Sequence, residues 1–530
     1  MNSTHIAVES CTADVLILGG GLAGMIAADE IARSGAEVLL LRPGGGASPF
    51  IHGFSLPVLP EDSADMLLRD TLRAGCGQCR IPLAQALAAG TAEIPALLNR
   101  LGVALNRSGD GLELLRPLGA SYPRVVSVGN SAGGAILRAL QTRLSAQPNC
   151  ALRTARAEHL ISDGNTVSGA VCRAADGTRF TMTARVTLMA CGGYSGILPF
   201  STNPPDLSGS GLAMAYDAGA LLTDLEFIQF EPCVGIAPDA VRGKGIVTTM
   251  LHEGAVLRDA SGSEFLLRYG ADGAHVGKDL MAQRIHAAIR SNPTPHGGIY
   301  FDATGVGADR LRAVYGSYVD RYACCGIDLT RTPVEVAPAA HTALGGVVID
   351  PQCRTSLRGL YACGEAVGGV HGANRMGGNA GLETLVFGSA AGRTVAAEWK
   401  MIPPPQSVTV PASPARALSD EDCARWRARL DAPIGDALNV VRDGDSLRRC
   451  LDVLDDCARD AAALPDGGDT CAVRQRITAA RLVAASALER PQSVGCHVRS
   501  DAQPEPEPEI YALNVQKNHP IAREIFPKGV

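Results

Sequence analysis

Apolar residues at the start of the chain form two patterns, a continuous run and a repeat at helical spacing. The continuous apolar run at 14–19, DVLILG, is typical of a buried parallel strand. It leads into the glycine-rich segment 19–24, after which MIAADEIARSG repeats apolar side chains at helical spacing. A second apolar run, AEVLLL, follows at 36–41. The pattern predicts a strand, a helix that ends near Gly35, and a second strand.

The glycine-rich segment reads Gly19-Gly20-Gly21-Leu22-Ala23-Gly24, a GxGxxG motif between a strand and a helix. This context makes it a dinucleotide-binding fingerprint. Gly19 permits the tight turn, Gly21 lets the backbone approach a pyrophosphate, and Gly24 lets the helix pack on the strand. The N-terminus of the helix then faces the anion. A glycine-rich turn without a ligand is the alternative.

Arg42 ends the second predicted strand, where many such folds carry an acid for the ribose 2′-hydroxyl. An arginine there could bind the 2′-phosphate of NADP, so an NADP-dependent dehydrogenase is one hypothesis. The alternative is a solvated side chain beside a flavin adenosine, and motifs later in the chain favour that alternative.

Composition excludes several classes of protein. With 48 Lys and Arg against 54 Asp and Glu among 530 residues, the net charge is −6, and no basic run predicts a nucleic-acid partner. The sequence contains no uncharged stretch of about 18 apolar residues, so we predict no membrane span. The first residues lack a secretory signal, so we expect a cytoplasmic protein.

The sixteen cysteines are scattered, and only Cys76 and Cys79 have CxxC spacing. No second pair stands at zinc-site or iron–sulfur spacing, so we predict no metal site. In the cytoplasm most of these residues would be packed thiols. Cys233 is the exception to test, because it follows Glu231 and Pro232. A redox pair at Cys76 and Cys79 is a weaker hypothesis.

Several longer segments together resemble the flavoprotein family of fumarate reductase, succinate dehydrogenase and L-aspartate oxidase. The most specific is GLYACGEAVGGVHGANRMGGNAGLETLVFG at 359–388. The others are LMACGG (188–193), HTALGGVV (341–348), EDSADMLLRDTLRAG (61–75), TNPPDLSGSGLAMAYDAGA (202–220), LEFIQFEP (225–232), EGAVLRDASGSEF (253–265) and the helical stretch 474–501. The resemblance covers most of the chain.

The resemblance implies FAD as the cofactor. Gly192 ends the strand of LMACGG, and Glu365 follows a buried strand, where its carboxylate can accept hydrogen bonds from the adenosine ribose. Asn379, Ala380 and Leu382 begin a helix whose N-terminus can face the flavin and stabilise its anionic reduced form. We expect this FAD to be non-covalent, because Ala47 stands where several relatives have the linking His. His52 lies nearby and is read as a neighbour of the ring.

For the family, the resemblance implies hydride transfer between flavin N5 and a carbon of a dicarboxylate. An Arg moves the proton, and two His and a second Arg bind the carboxylates. His341 matches one carboxylate-binding His. Arg375 matches the clamping Arg, whose planar fork suits a carboxylate. The alternatives are a core histidine and a surface ion pair.

Two positions depart from that pattern. Glu231 stands where relatives have the second His, so it would repel a carboxylate unless protonated, bind an amine or imidazole, or act as a base. Lys278 stands in place of the proton-transfer Arg and can carry a proton without reproducing the fork. The position of the next family Arg is occupied in this chain by Gln283. Arg284 lies one residue beyond it. Of the residues that the family carries in a further segment, this chain retains only Arg124.

The fold class we predict is α/β: a discontinuous, Rossmann-like FAD-binding domain with an inserted α+β capping domain and a C-terminal helical domain. The predicted boundaries are 1–220 and 336–400 for the FAD-binding domain, 221–335 for the capping domain, 401–415 for a linker, and 416–530 for the helical domain and its extended, charged tail.

The functional hypothesis is an FAD-dependent oxidoreductase acting on a small carboxylate related to fumarate, succinate or aspartate. The substrate site is altered, with Lys278, Arg375, His341 and Glu231 as its residues. The alternative is an FAD-binding subunit without its own dicarboxylate activity, working with an iron–sulfur or other electron-transfer partner.

Overall fold

The computed structural model describes residues 10–270, 273–405, 417–503 and 509–526. Up to residue 220 the chain alternates strands and helices. The helices are α1 (Leu22–Ala32), α2 (Ala64–Ala74), α3 (Ile81–Ala89), α4 (Ile94–Leu101), α5 (Ala132–Ser145) and α6 (Ser210–Asp217). The strands are β1 (Ser10–Leu18), β2 (Val38–Leu41), β3 (Gly53–Ser55), β4 (Arg107–Ser108), β5 (Gly111–Leu112), β6 (Val125–Ser127), β7 (Cys150–Arg153), β8 (Ala155–Ser162), β9 (Val167–Ala174) and β10 (Arg179–Met189).

The next region forms an antiparallel sheet flanked by helices and then returns to the first region. Its strands are β11 (Leu222–Thr223), β12 (Ile228–Ala237), β13 (Val256–Arg258), β14 (Ile299–Asp302) and β15 (Val334–Ala343), and its helices are α7 (Lys278–Ser291) and α8 (Ala308–Ala323). The returning segment holds β16 (Gly346–Val347), β17 (Leu360–Ala362) and α9 (Asn379–Glu398).

The C-terminal region packs three helices against the rest. These are α10 (Asp420–Ala437), α11 (Gly444–Ala462) and α12 (Gly468–Glu489). Strand β18 (Val441–Arg442) lies between α10 and α11, and β19 (Val498–Arg499), β20 (Tyr511–Val515) and β21 (Ala522–Ile525) follow α12. Strand β20 pairs with β11, so part of the predicted tail joins a sheet. Most of the predicted linker, and residues 504–508 of that tail, lie outside the described residues.

The main sheet has the order β7-β2-β1-β10-β9-β8, with β17 also paired to β10. Strands β7, β2, β1, β10 and β17 run parallel, and the apolar runs of β1 and β2 are typical of this arrangement. Because β17 comes from a distant part of the chain, one sheet joins two separate stretches of sequence. The predicted α/β, Rossmann-like fold is confirmed.

The register of the parallel strands brings their carboxyl ends to one edge of the sheet. Leu18 at the end of β1 pairs with Leu41 of β2 and Met189 of β10, and Met189 pairs with Ala362 of β17. The loops that follow these strands therefore meet at this edge, where open α/β sheets bind their ligands.

The antiparallel sheet has the order β12-β15-β14-β13 and builds a hydrophobic core of its own. Val336 of β15, Phe301 of β14 and Ile285 of α7 are fully buried in it. Strand β12 pairs with β15 across irregular steps, one of them between Glu231 and Val234. This unit holds the strand and the helix that carry Glu231 and Lys278.

One helical stretch in the described part of the chain, Ile81–Leu101, reaches the length and apolar composition of a membrane span, with a mean hydropathy of 1.3. It consists of α3, a short 3-10 turn and α4, and α3 packs against α2 and α9. Length and composition alone are weak evidence for a span, because core helices of globular proteins share them.

Candidate active site

A cavity of about 1160 Å³ opens at the carboxyl edge of the parallel sheet. The loops after β1, β2, β10 and β17 line one part of it, and residues of the antiparallel sheet unit line the other. Its volume exceeds the roughly 300–1,000 Å³ usual for small-ligand sites. The cavity is therefore large enough for a cofactor together with a small substrate.

The turn after β1 has no room for side chains. Gly19 has φ +120°, and a Cβ there would lie 2.1 Å from the Ala190 carbonyl oxygen. A Cβ at Gly21 would lie 2.9 Å from Ser48 Oγ, and one at Gly24 would lie 2.1 Å from the Gly19 oxygen. Gly19 and Gly21 line the cavity, whereas Gly24 packs behind it. The three glycines have the arrangement that the motif predicts.

Helix α1 begins at Leu22, directly after this turn, and its N-terminus opens on the cavity. The Leu22 N–H donates to Ser48 Oγ over 2.9 Å. The first turn carries no acidic residue, so its positive end is not neutralised by a side chain. This end of the cavity is suited to a pyrophosphate.

Arg42 lies outside the cavity wall, which is formed here by its neighbours Leu41 and Pro43. Its side chain covers Gly20, where an added Cβ would lie 2.7 Å from Arg42 Cβ. The structure therefore places this side chain against the glycine turn but not in the cavity wall. A contact between Arg42 and the adenosine stays a prediction.

Helix α9 presents a second N-terminus to the cavity. Gly378 precedes it at φ +86°, and Gly377, Gly378, Ala380 and Gly381 line the wall. Asn379 and Leu382 are fully buried behind this wall, and the Asn379 amide donates to Thr71 Oγ1 over 3.0 Å. Of the three predicted residues on this helix, Ala380 faces the cavity and the other two hold the helix in place.

Gly192 and Glu365 line the cavity. The Glu365 carboxylate accepts a hydrogen bond of 3.0 Å from the N–H of Ala343, at the end of β15. Burial raises the pKa of Glu365 to about 7. Because Ala343 lies two residues after His341, Glu365 is placed beside the predicted substrate residues. The hydrogen bond from an adenosine ribose to Glu365 stays a prediction.

All four predicted substrate residues line the cavity: Glu231 on β12, His341 on β15, Lys278 at the first position of α7, and Arg375 in the loop before α9. Strands β12 and β15 are paired, with Glu231 opposite Ala339, which brings Glu231 and His341 close together. The sequence separates these four residues by up to 144 positions, and the fold joins them.

Glu231 and Lys278 form an ion pair, with Lys278 Nζ donating to Glu231 Oε2. The same oxygen lies 3.6 Å from His341 Nε2. On the other side of the imidazole, Thr202 Oγ1 lies 2.7 Å from His341 Nδ1. The predicted amine partner of Glu231 is therefore the chain's own lysine, and the ammonium of Lys278 is held in an ion pair.

Burial sets the charge of the histidine and lysine. It holds the pKa of His341 well below its usual range, and the positive charges of Lys278 and Arg375 lower it further. The imidazole is therefore neutral near pH 7. Burial also lowers the pKa of Lys278; Glu231 opposes this shift and Arg375 adds to it.

Arg375 keeps unused donors. It is 5% exposed, and it donates from Nη1 to the Met376 oxygen over 3.1 Å and from Nη2 to Thr342 Oγ1 over 3.5 Å. Its Nε is buried and has no hydrogen-bond partner among the described residues. A buried guanidinium with an unsatisfied donor is suited to an anion such as a carboxylate.

The other basic residues considered from the sequence have structural roles. Arg124 is fully buried in ion pairs with Asp62 at 2.8 Å and Asp70 at 2.9 Å. Arg284 donates to the Gly273 oxygen and stacks on Tyr269, with Cζ 4.2 Å from the ring centroid. Neither lines the cavity, so neither replaces the missing family arginine.

The sixteen cysteines are present as thiols. Cys233 is fully buried in the core of the antiparallel sheet unit and does not line the cavity, so the structure does not place it beside a substrate. Cys76 does line the cavity, and Cys79 is buried behind it. Cys76 is exposed, but partial desolvation and the nearby Asp279 raise the pKa of its thiol to about 11, and burial raises that of Cys79 further, which disfavours a reactive thiolate.

Two cavity residues could not be assigned to the site from the sequence. Thr202 orients His341, and the segment that holds it stands out only by its resemblance to the family. Tyr318 on α8 lies opposite the predicted flavin neighbour His52, with ring centroids 5.9 Å apart. Nothing in the local sequence distinguishes Tyr318, because α8 reads as an ordinary amphipathic helix.

Comparison with known proteins identifies the cofactor. The model of a family described as FAD binding domain matches residues 14–380. L-aspartate oxidase of Caulobacter vibrioides is 32% identical over 504 residues, covering 92% of this chain and 93% of that protein. The L-aspartate oxidase of Mycobacterium bovis is 33% identical over 513 residues, covering 92% of each protein. A chain of the fumarate reductase (CoM/CoB) of Methanothermobacter marburgensis is 30% identical over 531 residues, covering 94% and 95%.

A solved structure supports the fold. The FrdA chain of E. coli quinol fumarate reductase has a TM-score of 0.86 and 22% identity, covering 98% of this chain and 97% of that one. The two helix N-termini and the glycine wall of the cavity fit FAD, because side chains there would fill the space that its phosphates need. The chain therefore belongs to the FAD-binding flavoprotein family of L-aspartate oxidase and fumarate reductase, and it is an FAD-dependent oxidoreductase.

Proposed function

We propose that this protein transfers a hydride between the flavin and a carbon atom of a small carboxylate related to fumarate, succinate or aspartate. The observation that carries the proposal is the buried guanidinium of Arg375, whose Nε has no partner among the described residues and which lies in one cavity with Lys278 and His341. Bound FAD supplies the hydride acceptor or donor at its N5 atom.

In this proposal Arg375 binds and orients the substrate carboxylate. Lys278 holds or delivers the proton at the adjacent carbon, and its lowered pKa favours that role because transfer is most efficient near the working pH. Glu231 positions the ammonium. His341 is neutral, is held by Thr202, and offers one donor and one acceptor at the substrate.

The charges of these residues favour a single carboxylate at the reacting end. Arg375 contributes one positive charge, Lys278 and Glu231 compensate each other, and His341 is neutral. A four-carbon dicarboxylate would place its second carboxylate near Glu231, without a free cation to bind it. Fumarate, succinate and aspartate are therefore the nearest named substrates of the reaction class, and we expect the best substrate to differ from them.

The experiment is a screen with purified holoenzyme under anaerobic conditions. Carboxylates, including unsaturated acids that bear an amine or imidazole, are mixed with oxidised or dithionite-reduced protein, and flavin absorbance is followed. A substrate should bleach or restore the flavin, and Arg375→Met should abolish this. If no carboxylate changes the flavin in either direction, the proposal is wrong.

We also propose that FAD is bound without a covalent link, since Ala47 lies in the cavity wall where several relatives carry a linking histidine. Acid precipitation should then release all of the flavin into the supernatant. Flavin that stays with the precipitate would contradict this proposal.

We also propose a cytoplasmic location. The sixteen cysteines in thiol form support it, because disulfides are rare there.

A second candidate is an FAD-binding subunit that passes electrons to or from an iron–sulfur or other partner. It is favoured by the replacement of two of the four family substrate residues by the Glu231–Lys278 pair. The two candidates differ in one measurement. The isolated chain turns over with an artificial electron acceptor if it has its own active site, and stays inactive with every carboxylate if it serves only as a subunit.

A further inference from the structure

Three basic residues form one edge of the cavity on the side of the antiparallel sheet unit. Arg242, Lys244 and Arg321 all line it, and we call them the cationic rim. Arg242 and Arg321 are exposed, and Lys244 is half-buried. Among the described residues, none of the three lies in an ion pair with a carboxylate, although most arginines of the chain do.

The fold brings the rim together from two elements. The end of α8 lies beside residues 240–244: Tyr322 Oη donates to the Lys244 oxygen over 2.7 Å, and Cys325 Sγ donates to the Ala240 oxygen over 3.1 Å. Lys244 Nζ donates to Cys325 Sγ over 3.4 Å. The two segments that carry the rim are therefore packed against each other at this edge of the cavity.

Aromatic rings hold the two guanidinium groups in place and leave their N–H donors available. Arg242 Cζ lies 4.9 Å from the ring centroid of Phe200, and Arg321 Cζ lies 5.2 Å from that of Tyr318. Stacking of this kind uses the face of the guanidinium, whereas an oxyanion binds at its edge. Both arginines are therefore oriented and still have donors for a ligand.

The rim continues from the reacting end of the site. Lys244 is followed by Gly245, where an added Cβ would lie 3.9 Å from Cγ of Glu231. At Glu231 itself the ammonium of Lys278 is already paired, so among the described residues that lysine offers a substrate no free positive charge. Lys244, the chain neighbour of Gly245, therefore connects the rim to this end of the site.

We propose that the cationic rim is a second anion-binding subsite, which binds a carboxylate or phosphate group at the end of the substrate remote from the carboxylate on Arg375. This inference rests on the proposed function, since it takes Arg375 as the first anchor. It assigns the substrate to a class: an elongated dianion whose two acidic groups are farther apart than in a four-carbon dicarboxylate.

The test measures binding of unreactive ligands to the holoenzyme from their effect on the flavin spectrum. The probes are straight-chain dicarboxylates from malonate to suberate, monocarboxylates of the same lengths, and ω-phosphonocarboxylates. We expect affinity to rise with length beyond succinate for the diacids and not for the monoacids. Stronger binding of the phosphonates would identify phosphate as the remote group, and stronger binding of the diacids would identify carboxylate.

The test variant is Arg242→Gln/Arg321→Gln, which should weaken binding of the long diacids by about three- to tenfold, as expected for two partly exposed charge pairs. Monocarboxylate binding should be unchanged. The matched control is Arg312→Gln, which removes an exposed arginine of α8 that does not line the cavity. It should leave all affinities unchanged.

Three outcomes are distinguishable. Equal losses for short and long diacids, removed by salt, would show that the rim only attracts anions at a distance and would overturn the subsite. Affinity independent of chain length in the wild type would overturn it as well. If no carboxylate perturbs the flavin, and Arg375→Met behaves as the wild type, the proposed function itself has failed.

Discussion

The two ends of the cavity are built in different ways. At the cofactor end the wall consists largely of backbone: Gly19, Gly21, Gly377 and Gly378 line it, and two helices begin there. At the substrate end the wall consists of polar and charged side chains from four separate elements. A backbone wall fixes a shape that suits any FAD, whereas a few side chains decide which substrate is bound and can change without altering the fold.

The largest effect is expected at the cofactor end. Gly19→Val would place a side chain 2.1 Å from the Ala190 oxygen, at φ +120°, where side chains are strained. We expect the purified variant to be colourless and to take up no FAD. Flavin absorbance relative to protein absorbance measures this.

The control for that change is Gly316→Ala, at a position where an added Cβ meets nothing within 4 Å. It should retain a full complement of FAD. If Gly19→Val stays yellow with unchanged affinity, the cofactor end tolerates side chains and the contrast between the two ends is lost.

At the substrate end, Arg375→Lys should preserve FAD binding and lower kcat/KM by about 10²- to 10³-fold. A lysine keeps the charge but cannot form two parallel hydrogen bonds with a carboxylate, and such losses correspond to about 3–4 kcal/mol. Steady-state kinetics with the substrate found in the screen checks the value. An unchanged kcat/KM would remove Arg375 from the substrate site.

Sequence and structure agree where the backbone dictates the result. The turn at Gly19 and the strands β1 and β2 follow from glycines and apolar runs, because tight turns and buried parallel strands leave few alternatives. The sequence identified Lys278 and Glu231 as departures but did not pair them. Their pairing depends on where α7 lies against β12, and the long-range packing of the antiparallel sheet unit determines that position.

Tyr318 and the cationic rim show the same limit. They come from α8 and the 240–244 segment, whose local sequences are those of an ordinary amphipathic helix and a turn. Only their position against the cavity gives them a role. For Glu365 the motif located the residue correctly after its strand, but its hydrogen bond to Ala343 depends on the end of β15, which is 22 residues away in sequence.

The Glu231–Lys278 pair can be examined with three variants. Lys278→Met leaves Glu231 without its partner, so we expect a loss of about 1–3 kcal/mol in the free energy of unfolding, at the lower end for a pair that retains some solvent contact. Glu231→Gln alone removes the charge of the other partner, and Lys278→Met/Glu231→Gln should recover most of the stability while turnover stays low. Denaturant unfolding and kcat are measured on all three proteins.

Recovery of both stability and turnover in the double variant would show that Lys278 carries no proton in the reaction. Equal stability of Lys278→Met and the wild type would show that the pair is not closed in solution. Either result would reduce the difference between the two ends of the cavity, because fewer side chains at the substrate end would then have a role in the reaction.

Glu365 lies between the two ends, and its effect is expected to be the smallest. Its pKa is about 7 in the folded chain against an ordinary value of 4.5, so between these values the folded state binds more protons than the unfolded state. Stability of the FAD-free protein should therefore fall as pH rises from 4.5 to 7, by about 1–3 kcal/mol, and change no further above that range through this group.

Glu365→Gln should remove that part of the pH dependence, because an amide stays neutral at every pH while keeping an acceptor for the Ala343 N–H. Unfolding free energies of both FAD-free proteins, compared at pH 5 and pH 8, give the difference. A variant that is less stable than the wild type at pH 8 by as much as at pH 5 would show that the carboxyl ionises normally. Glu365 would then belong with the ionised side chains of the substrate end, rather than with the uncharged wall of the cofactor end.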